Sequence, residues 1–350
     1  MLNIDIEKQL SGFRLAVKLA IGAEILVLFG PSGAGKTQTL NALAGLLTPD
    51  RGEITLDGRC FFRRGLSGPE VNVPARRRHV AMVFQQYALF PHLTAQQNVE
   101  YPLHRERDAG SRARALLRRM QLEALGDRYP HELSGGQQQR VAIARALAAD
   151  ARVLLLDEPF SALDRPIREQ LHQDLMTLQE ETGLVVVYVT HNLDDALTAG
   201  HRMAILNHGR IEQVAGLPEI FTRPRSRAVL EILGVPNIFQ ARWVDGLLDW
   251  EGIRLTSRGL DGPVSGDVCG YIPAEDVRIV DKCSPAINAV SGKVLRSQPA
   301  GLFVRLFVEI ENGRTLETSI RLDDLAKDLY APGSAIRLSL PPDRLVLVRE

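Results

Sequence analysis

The stretch EILVLFGPSGAGKT, residues 24–37, decides the fold. Its first half, EILVLF, is an apolar run too short for a helix and bounded by glycines, which predicts a buried strand. Its second half fits G-x-x-x-x-G-K-[ST], and a helix is expected from Gly35 to about Leu46. Strand, glycine-rich loop and helix in that order are the setting this motif requires. Gly30, Gly33 and Gly35 let backbone N–H groups turn inward around phosphate, and the helix N-terminus adds a favourable field. Lys36 brings charge to the β- and γ-phosphates, and Thr37 offers a hydroxyl to Mg²⁺. The candidate nucleotide-binding set is Gly30, Pro31, Ser32, Gly33, Ala34, Gly35, Lys36, Thr37 and Gln38.

Outward from this loop, short β-rich runs alternate with helical stretches. EITLDG reads as a strand, and VAMVF (80–84), VLLLD (153–157) and LVVVYVT (184–190) read as strands buried on both faces, as in a parallel α/β sheet. A long helix is expected over 164–182, with Ile167, Leu171, Leu175 and Leu178 forming one apolar stripe. Residues 91–150 hold no good strand and read as an all-helical insertion. Its Arg112, Arg114, Arg118 and Arg119 fit a solvated helix face better than an anion-binding one. After Gly234-Val235-Pro236 the pattern changes to strands with turn signals, including Asn312-Gly313 between alternating runs. That predicts a separate all-β, barrel-like domain over 236–350.

Three strand ends carry candidate chemistry. In an open parallel sheet, ligands bind at the carboxyl ends of strands. Asp157, at the end of VLLLD, is a candidate Mg²⁺ ligand, and Glu158 stands where it can activate a water. His191, after LVVVYVT, can hydrogen-bond a γ-phosphate or the attacking water. Gln85, after VAMVF, is neutral and two-ended, and can touch Mg²⁺ or water. A second glycine-rich loop, LSGGQQQR (133–140), also feeds a helix but has no lysine. Ser134, Gly135, Gly136 and Gln137 offer donors without a charge.

Bulk composition narrows the function classes. Lys+Arg and Asp+Glu are both 42, so the chain is neutral, which argues against nucleic acid as the main partner. The start, MLNIDIEKQL, lacks a charged-then-apolar signal pattern, and runs such as LVVVYV are too short to span a bilayer. Any membrane role is therefore expected to go through a partner. Cys60, Cys269 and Cys283 are scattered, without metal-like spacing, and read as free thiols in a reducing compartment.

GPSGAGKT, VFQQYALFPHLTAQQN, LSGGQQQR, LLLDEPFSALD and VTH, in this order, resemble the nucleotide-binding subunits of ATP-binding-cassette transporters. The likeness covers roughly residues 1–232 and implies a P-loop NTPase, RecA-like core with a helical subdomain at about 91–150. It implies ATP and Mg²⁺ as cofactors, and a head-to-tail homodimer in which each ATP meets the P-loop of one subunit and residues 134–137 of the other. By the same likeness Glu158 is the catalytic base and His191 the γ-phosphate sensor. Asp164 communicates across the interface, and the segment after Gln85 touches integral membrane permease subunits. An aromatic usually stacks on the adenine. Phe13 is the candidate here, and a core phenylalanine is the equal alternative.

The C-terminal part resembles the TOBE/Mop-like accessory domain of importer ATPases. The start of the chain and YIPAEDVRIV favour the molybdate/tungstate type, with sulfate, iron(III) and polyamine importers as alternatives. The implied setting is the cytoplasmic face of the inner membrane, peripherally, with an extracytoplasmic binding protein as an indirect partner. The rival readings are an oxyanion-sensing regulator acting through the β domain and a soluble cassette ATPase outside transport.

Overall fold

The computed structural model describes residues 1–349 apart from 104–106, 162, 245, 258–265, 282–284 and 325–329. Cys283 lies outside the described residues, whereas Cys60 and Cys269 are free thiols. The chain forms two compact units, residues 1–220 and 221–350.

The first unit is built on one sheet. Its strands are β1 (Leu2–Gln9), β2 (Arg14–Ile21), β3 (Ile25–Phe29), β4 (Arg51–Leu56), β5 (Arg59–Arg64), β6 (Val71–Asn72), β7 (Val80–Val83), β8 (Val153–Asp157), β9 (Val185–Thr190), β10 (Arg202–Asn207) and β11 (Arg210–Gly216). The helices are α1 (Lys36–Ala44), α2 (Ala95–Glu100), α3 (Ala109–Arg119), α4 (Gly135–Ala148), α5 (Arg165–Thr182) and α6 (Leu193–Ala199). The strand order is β6-β5-β4-β1-β2-β11-β10-β3-β9-β8-β7. The run β10-β3-β9-β8-β7 is parallel throughout. The β1, β2, β4, β5 and β6 arm is antiparallel.

Every residue of β3, β8 and β9 is buried, as their continuous apolar sequences require in a sheet covered on both faces. β7 departs from that expectation. It ends the sheet order, Val80 and Met82 are only half-buried, and Phe84 lies outside the strand and is exposed. The α5 stripe is likewise shorter than its periodicity suggests. Leu171, Leu175 and Leu178 are buried, whereas Ile167 at the first turn is exposed.

The insertion between β7 and β8 is helical, with α2, α3 and α4 connected by short 3₁₀ turns. On α3, Arg112 pairs with Asp150, Arg118 with Glu123 and Arg119 with Glu181. These are surface ion pairs of small energetic weight.

The second unit has two five-stranded sheets. One holds Ile238–Val244, Leu247–Trp250, Ile253–Leu255, Gly266–Tyr271 and Val346–Arg349. The other holds Arg278–Val280, Ala289–Ala300, Phe303–Ile310, Thr315–Arg321 and Ala335–Ser339. Residues of both, including Phe239, Trp250, Leu306 and Leu338, share one core. The unit begins before the boundary suggested by Gly234-Val235-Pro236 and is not all-β. The helix Arg227–Leu233 packs Leu230 with Cys269, Tyr271 and Val348, which ties it to the β sheets. Asn312-Gly313 does mark a hairpin. The turn spans 311–314, with Gly313 at φ 76° and the Asn312 Oδ1 accepting from the Arg314 N–H at 3.1 Å.

Candidate functional site

Four adjacent parallel strands bring the site together. β3 ends in the glycine-rich loop, and β9, beside it, ends at Thr190 and leads to His191. β8 ends at Asp157 and leads to Glu158, and β7 leads to Gln85. Because all four run the same way, their carboxyl ends share one edge of the sheet. Residues separated by more than 150 positions in sequence become neighbours through this order alone.

The loop closes on itself through Lys36. Its ammonium donates to the carbonyls of Gly30 and Pro31, at 2.8 and 2.9 Å. Burial lowers its pKa below the usual lysine range, against the pull of Glu158 and Asp157. Gly35 takes φ 107°, a left-handed conformation that favours glycine, and a Cβ there would stand 3.3 Å from the Phe13 ring. Phe13 lies just before β2, half-buried at the rim of the sheet core. It packs against the core and flanks the loop.

Thr37, opening α1, donates through Oγ1 to Asp157 Oδ1 at 3.3 Å. Asp157 is 9% exposed. Burial raises its pKa, the Thr37 hydrogen bond lowers it, Glu158 raises it and Lys36 lowers it. A hydroxyl and a carboxylate oxygen side by side are hard donors of the kind that would suit Mg²⁺. Among the described residues no cluster of three or more His, Cys, Asp or Glu side chains is placed to hold a metal ion.

Glu158 has φ 45°, uncommon for a non-glycine residue, and its N–H donates to Val189 O at 3.0 Å. That turn sends its carboxylate toward His191, with Nδ1 and Glu158 Oε1 2.8 Å apart. Gln85 Nε2 donates to the other oxygen at 3.5 Å. His191 is set by its flanks. The Asn192 N–H donates to Thr190 Oγ1 at 3.0 Å, and Asn192 Oδ1 caps α6 by accepting from the Asp195 N–H at 3.1 Å. A cavity of about 100 Å³ lies between Glu158, Ser161, Thr190 and His191, room for a few waters.

Sequence reasoning missed the layer behind these residues. Arg168 of α5 donates to Leu163 O at 2.8 Å and meets the buried Asp195 carboxylate at 3.3 Å. It therefore joins the loop carrying Asp164 to the helix that follows His191. His172 Nε2 lies 3.3 Å from the Tyr188 hydroxyl, and Phe160 packs edge-on against His172. Burial lowers the His172 pKa and raises that of Tyr188, so both are neutral struts. The sequence signal for them was slight: Tyr188 interrupts the apolar β9, whereas His172 sits in the mostly polar run REQLHQDL.

The second glycine-rich loop goes elsewhere. Ser134 caps α4 and forms a reciprocal capping box with Gln137. Gln138 Nε2 donates to Pro130 O and Leu133 O, at 2.9 and 3.1 Å. A Cβ on Gly136 would come within 2.8 Å of Ile167, so glycine is what allows α5 to approach so closely. Among the described residues no hydrogen bond joins 134–137 to the loop 30–38. Asp164 precedes α5, exposed and without a side-chain capping bond.

Comparison with known proteins gives the family. The model of the ABC transporter family matches residues 16–161, and that of the TOBE domain matches 272–348. The chain is 40% identical to the spermidine/putrescine import ATP-binding protein PotA of Pseudomonas aeruginosa (strain UCBPP-PA14) over 311 residues, 84% of this chain and 82% of that one. It is 38% identical to the sulfate/thiosulfate import ATP-binding protein CysA 2 of Chromobacterium violaceum over 327 residues, 92% of this chain and 87% of that one. A dimeric post-hydrolysis structure of the ATP-binding cassette MJ0796 bound to ADP and Pi aligns at TM-score 0.52 and 34% identity, over 62% of this chain and 99% of that one.

Proposed function

The chain belongs to the ATP-binding-cassette transporter family as an importer ATPase, and we propose that it drives uptake of a polyamine, with sulfate as the alternative cargo. The relatives described above carry those two cargoes in their names. The molybdate/tungstate expectation finds no support among them and gives way.

The reading rests on one observation above all: the glycine-rich loop, Asp157-Glu158, His191 and Gln85 stand at the carboxyl ends of four neighbouring parallel strands. Residues 30–38 cradle the phosphates of ATP, with Lys36 moving from the loop carbonyls to phosphate charge. Thr37 and Asp157 hold Mg²⁺, which when bound neutralises charge on the β- and γ-phosphates. Glu158 accepts the proton of the attacking water, His191 orients Glu158 and the γ-phosphate, and Gln85 reports on both. Phe13 stacks on the base.

Residues 134–137 do not reach their own P-loop, so they complete the ATP site of a second copy. A related cassette, MJ0796, is dimeric in its post-hydrolysis state with ADP and Pi bound. Asp164 joins the same interface. Among the described residues no helix is long and apolar enough to cross a membrane, in keeping with work through a permease at the cytoplasmic face of the inner membrane. The exposed stretch after Gln85 is the surface offered to that permease.

The test is Glu158→Gln in the full chain. Hydrolysis falls by about 10²- to 10⁴-fold, the usual worth of a general base, while ATP binding persists. Normal turnover in that variant overturns the assignment of the base. For the cargo, the chain co-expressed with its permease and binding protein shows ATPase stimulation by spermidine. Stimulation by sulfate instead moves the reading to the alternative.

A further inference from the structure

We propose that Arg145 is a positioning residue that yokes the Gln85 loop to the helix carrying LSGGQ. The proposal rests on the ATPase reading above and extends it to a residue that no motif singled out.

The segment following β7 turns sharply. Tyr87 and Ala88 sit side by side at φ 58° and 47°, left-handed conformations that L residues with a Cβ rarely adopt. Within the turn the Ala88 N–H donates to Gln86 O at 2.6 Å, and the Tyr87 N–H to Phe84 O at 2.8 Å. Two strained residues in succession persist only where surrounding groups hold them.

Arg145 supplies that hold. One guanidinium nitrogen donates to Ala88 O at 2.8 Å and the other to Tyr87 O at 3.1 Å. The guanidinium carbon also lies 5.3 Å from the centroid of the Phe90 ring, within cation–π range. Burial lowers the pKa of the group, and among the described residues no neighbouring charge acts on it. A partly buried cation without a counter-charge is costly, and here its hydrogen bonds go to two consecutive peptide carbonyls.

The other ends of the loop are pinned independently. Asn98 of α2, fully buried, accepts from the Phe90 N–H at 2.9 Å and donates to the carbonyls of Phe90, Leu93 and Thr94. At the near end, Gln85 meets Glu158. Arg145 is therefore the group that fixes the bend between these anchors.

Arg145 belongs to α4, the helix that Ser134 caps. At 1.5 Å per residue, the Arg145 clamp lies roughly 15 Å along the same rod from Gly135. A shift of that rod moves the loop that ends at Gln85 and the residues offered to the partner's ATP together. One helix thereby relates what Glu158 holds in one subunit to the completion of the other site. Lysine, a single point charge, cannot span both carbonyls in a fixed fork.

The experiment compares the full chain with Gln85→Ala, Arg145→Ala, Arg145→Lys and the double variant Gln85→Ala/Arg145→Ala. ATP binding and steady-state hydrolysis are measured for each. Arg145→Ala is expected to lower kcat about tenfold with KM and ATP binding within about threefold, because the loss acts through a positioned group. Arg145→Lys shows the same split to a smaller degree, and serves as the test if Arg145→Ala does not fold. The double variant is no slower than the slower single variant, since both changes cut one connection. Losses that multiply, or Arg145→Ala and Arg145→Lys at the normal rate beside an inactive Glu158→Gln, overturn the yoke and leave the ATPase reading intact. An active Glu158→Gln overturns the underlying reading instead.

Discussion

The P-loop and the LSGGQ loop are built alike, yet their surroundings differ. Each is glycine-rich and opens a helix with free N–H groups. The first has a lysine of its own, a Thr37–Asp157 pair beside it, and Glu158 and His191 at the neighbouring strand ends. The second has a capping box and glutamine supports, packed against Leu163, Ile167 and Tyr87. One loop is equipped to hold phosphate and act on it. The other offers donors alone, the composition of half a site.

Lys36→Ala breaks that contrast most severely. It removes the one cation of the P-loop, and ATP affinity is expected to fall by about 100-fold or more, the scale of losing a charge-assisted contact. A nucleotide titration checks it, and unchanged affinity would mean the loop is structural.

Arg168→Ala comes next, because it strands the buried Asp195 carboxylate and frees the loop that carries Asp164. With Arg168 itself partly exposed, the cost in stability is about 2–3 kcal/mol, at the low end for an uncoupled buried charge. Denaturant unfolding measures it, and adding Asp195→Asn should recover part of the loss.

Ser134→Ala sharpens the contrast from the other side. It costs about 1 kcal/mol of helix stability through the lost cap and slows hydrolysis, while affinity for the first ATP stays as it was. Gln138→Ala is the mildest change. It frees two loop carbonyls at about 0.5–1.5 kcal/mol and loosens the loop without touching the P-loop, so thermal unfolding shifts slightly and ATP binding does not.

Much of the first loop's setting was legible in sequence because strand, motif and helix are local, and because apolar runs such as VLLLD and LVVVYVT end at the candidate site residues. Arginines were the least legible. In the run Arg76-Arg77-Arg78, two side chains are exposed or partly so and the third is wholly buried. Arg78 donates to Ala42 O and Leu43 O at the end of α1, at 2.7 and 3.0 Å, where a cation favours the helix dipole. Nothing in three equal residues says which will meet a helix end. Arg145 and Arg168 were hidden the same way, because their partners are peptide carbonyls or a residue far along the chain. The chain divides at 220–221, ahead of Gly234, and the short helix before Gly234 finds its apolar partners in the β unit. The cargo expectation rested on the start of the chain and on YIPAEDVRIV, and the relatives carry other cargoes in their names.

The central claim is that residues 134–137 complete the ATP site of another copy. Sedimentation of the full chain carrying Glu158→Gln, with and without Mg²⁺-ATP, tests it alongside the same chain with Ser134→Glu added. Bound nucleotide is counted in both. The expected result is an ATP-dependent gain in dimer for Glu158→Gln that disappears with Ser134→Glu, while each chain still binds one ATP. An ATP-dependent dimer that survives Ser134→Glu, or loss of ATP from the separated chains, contradicts the account.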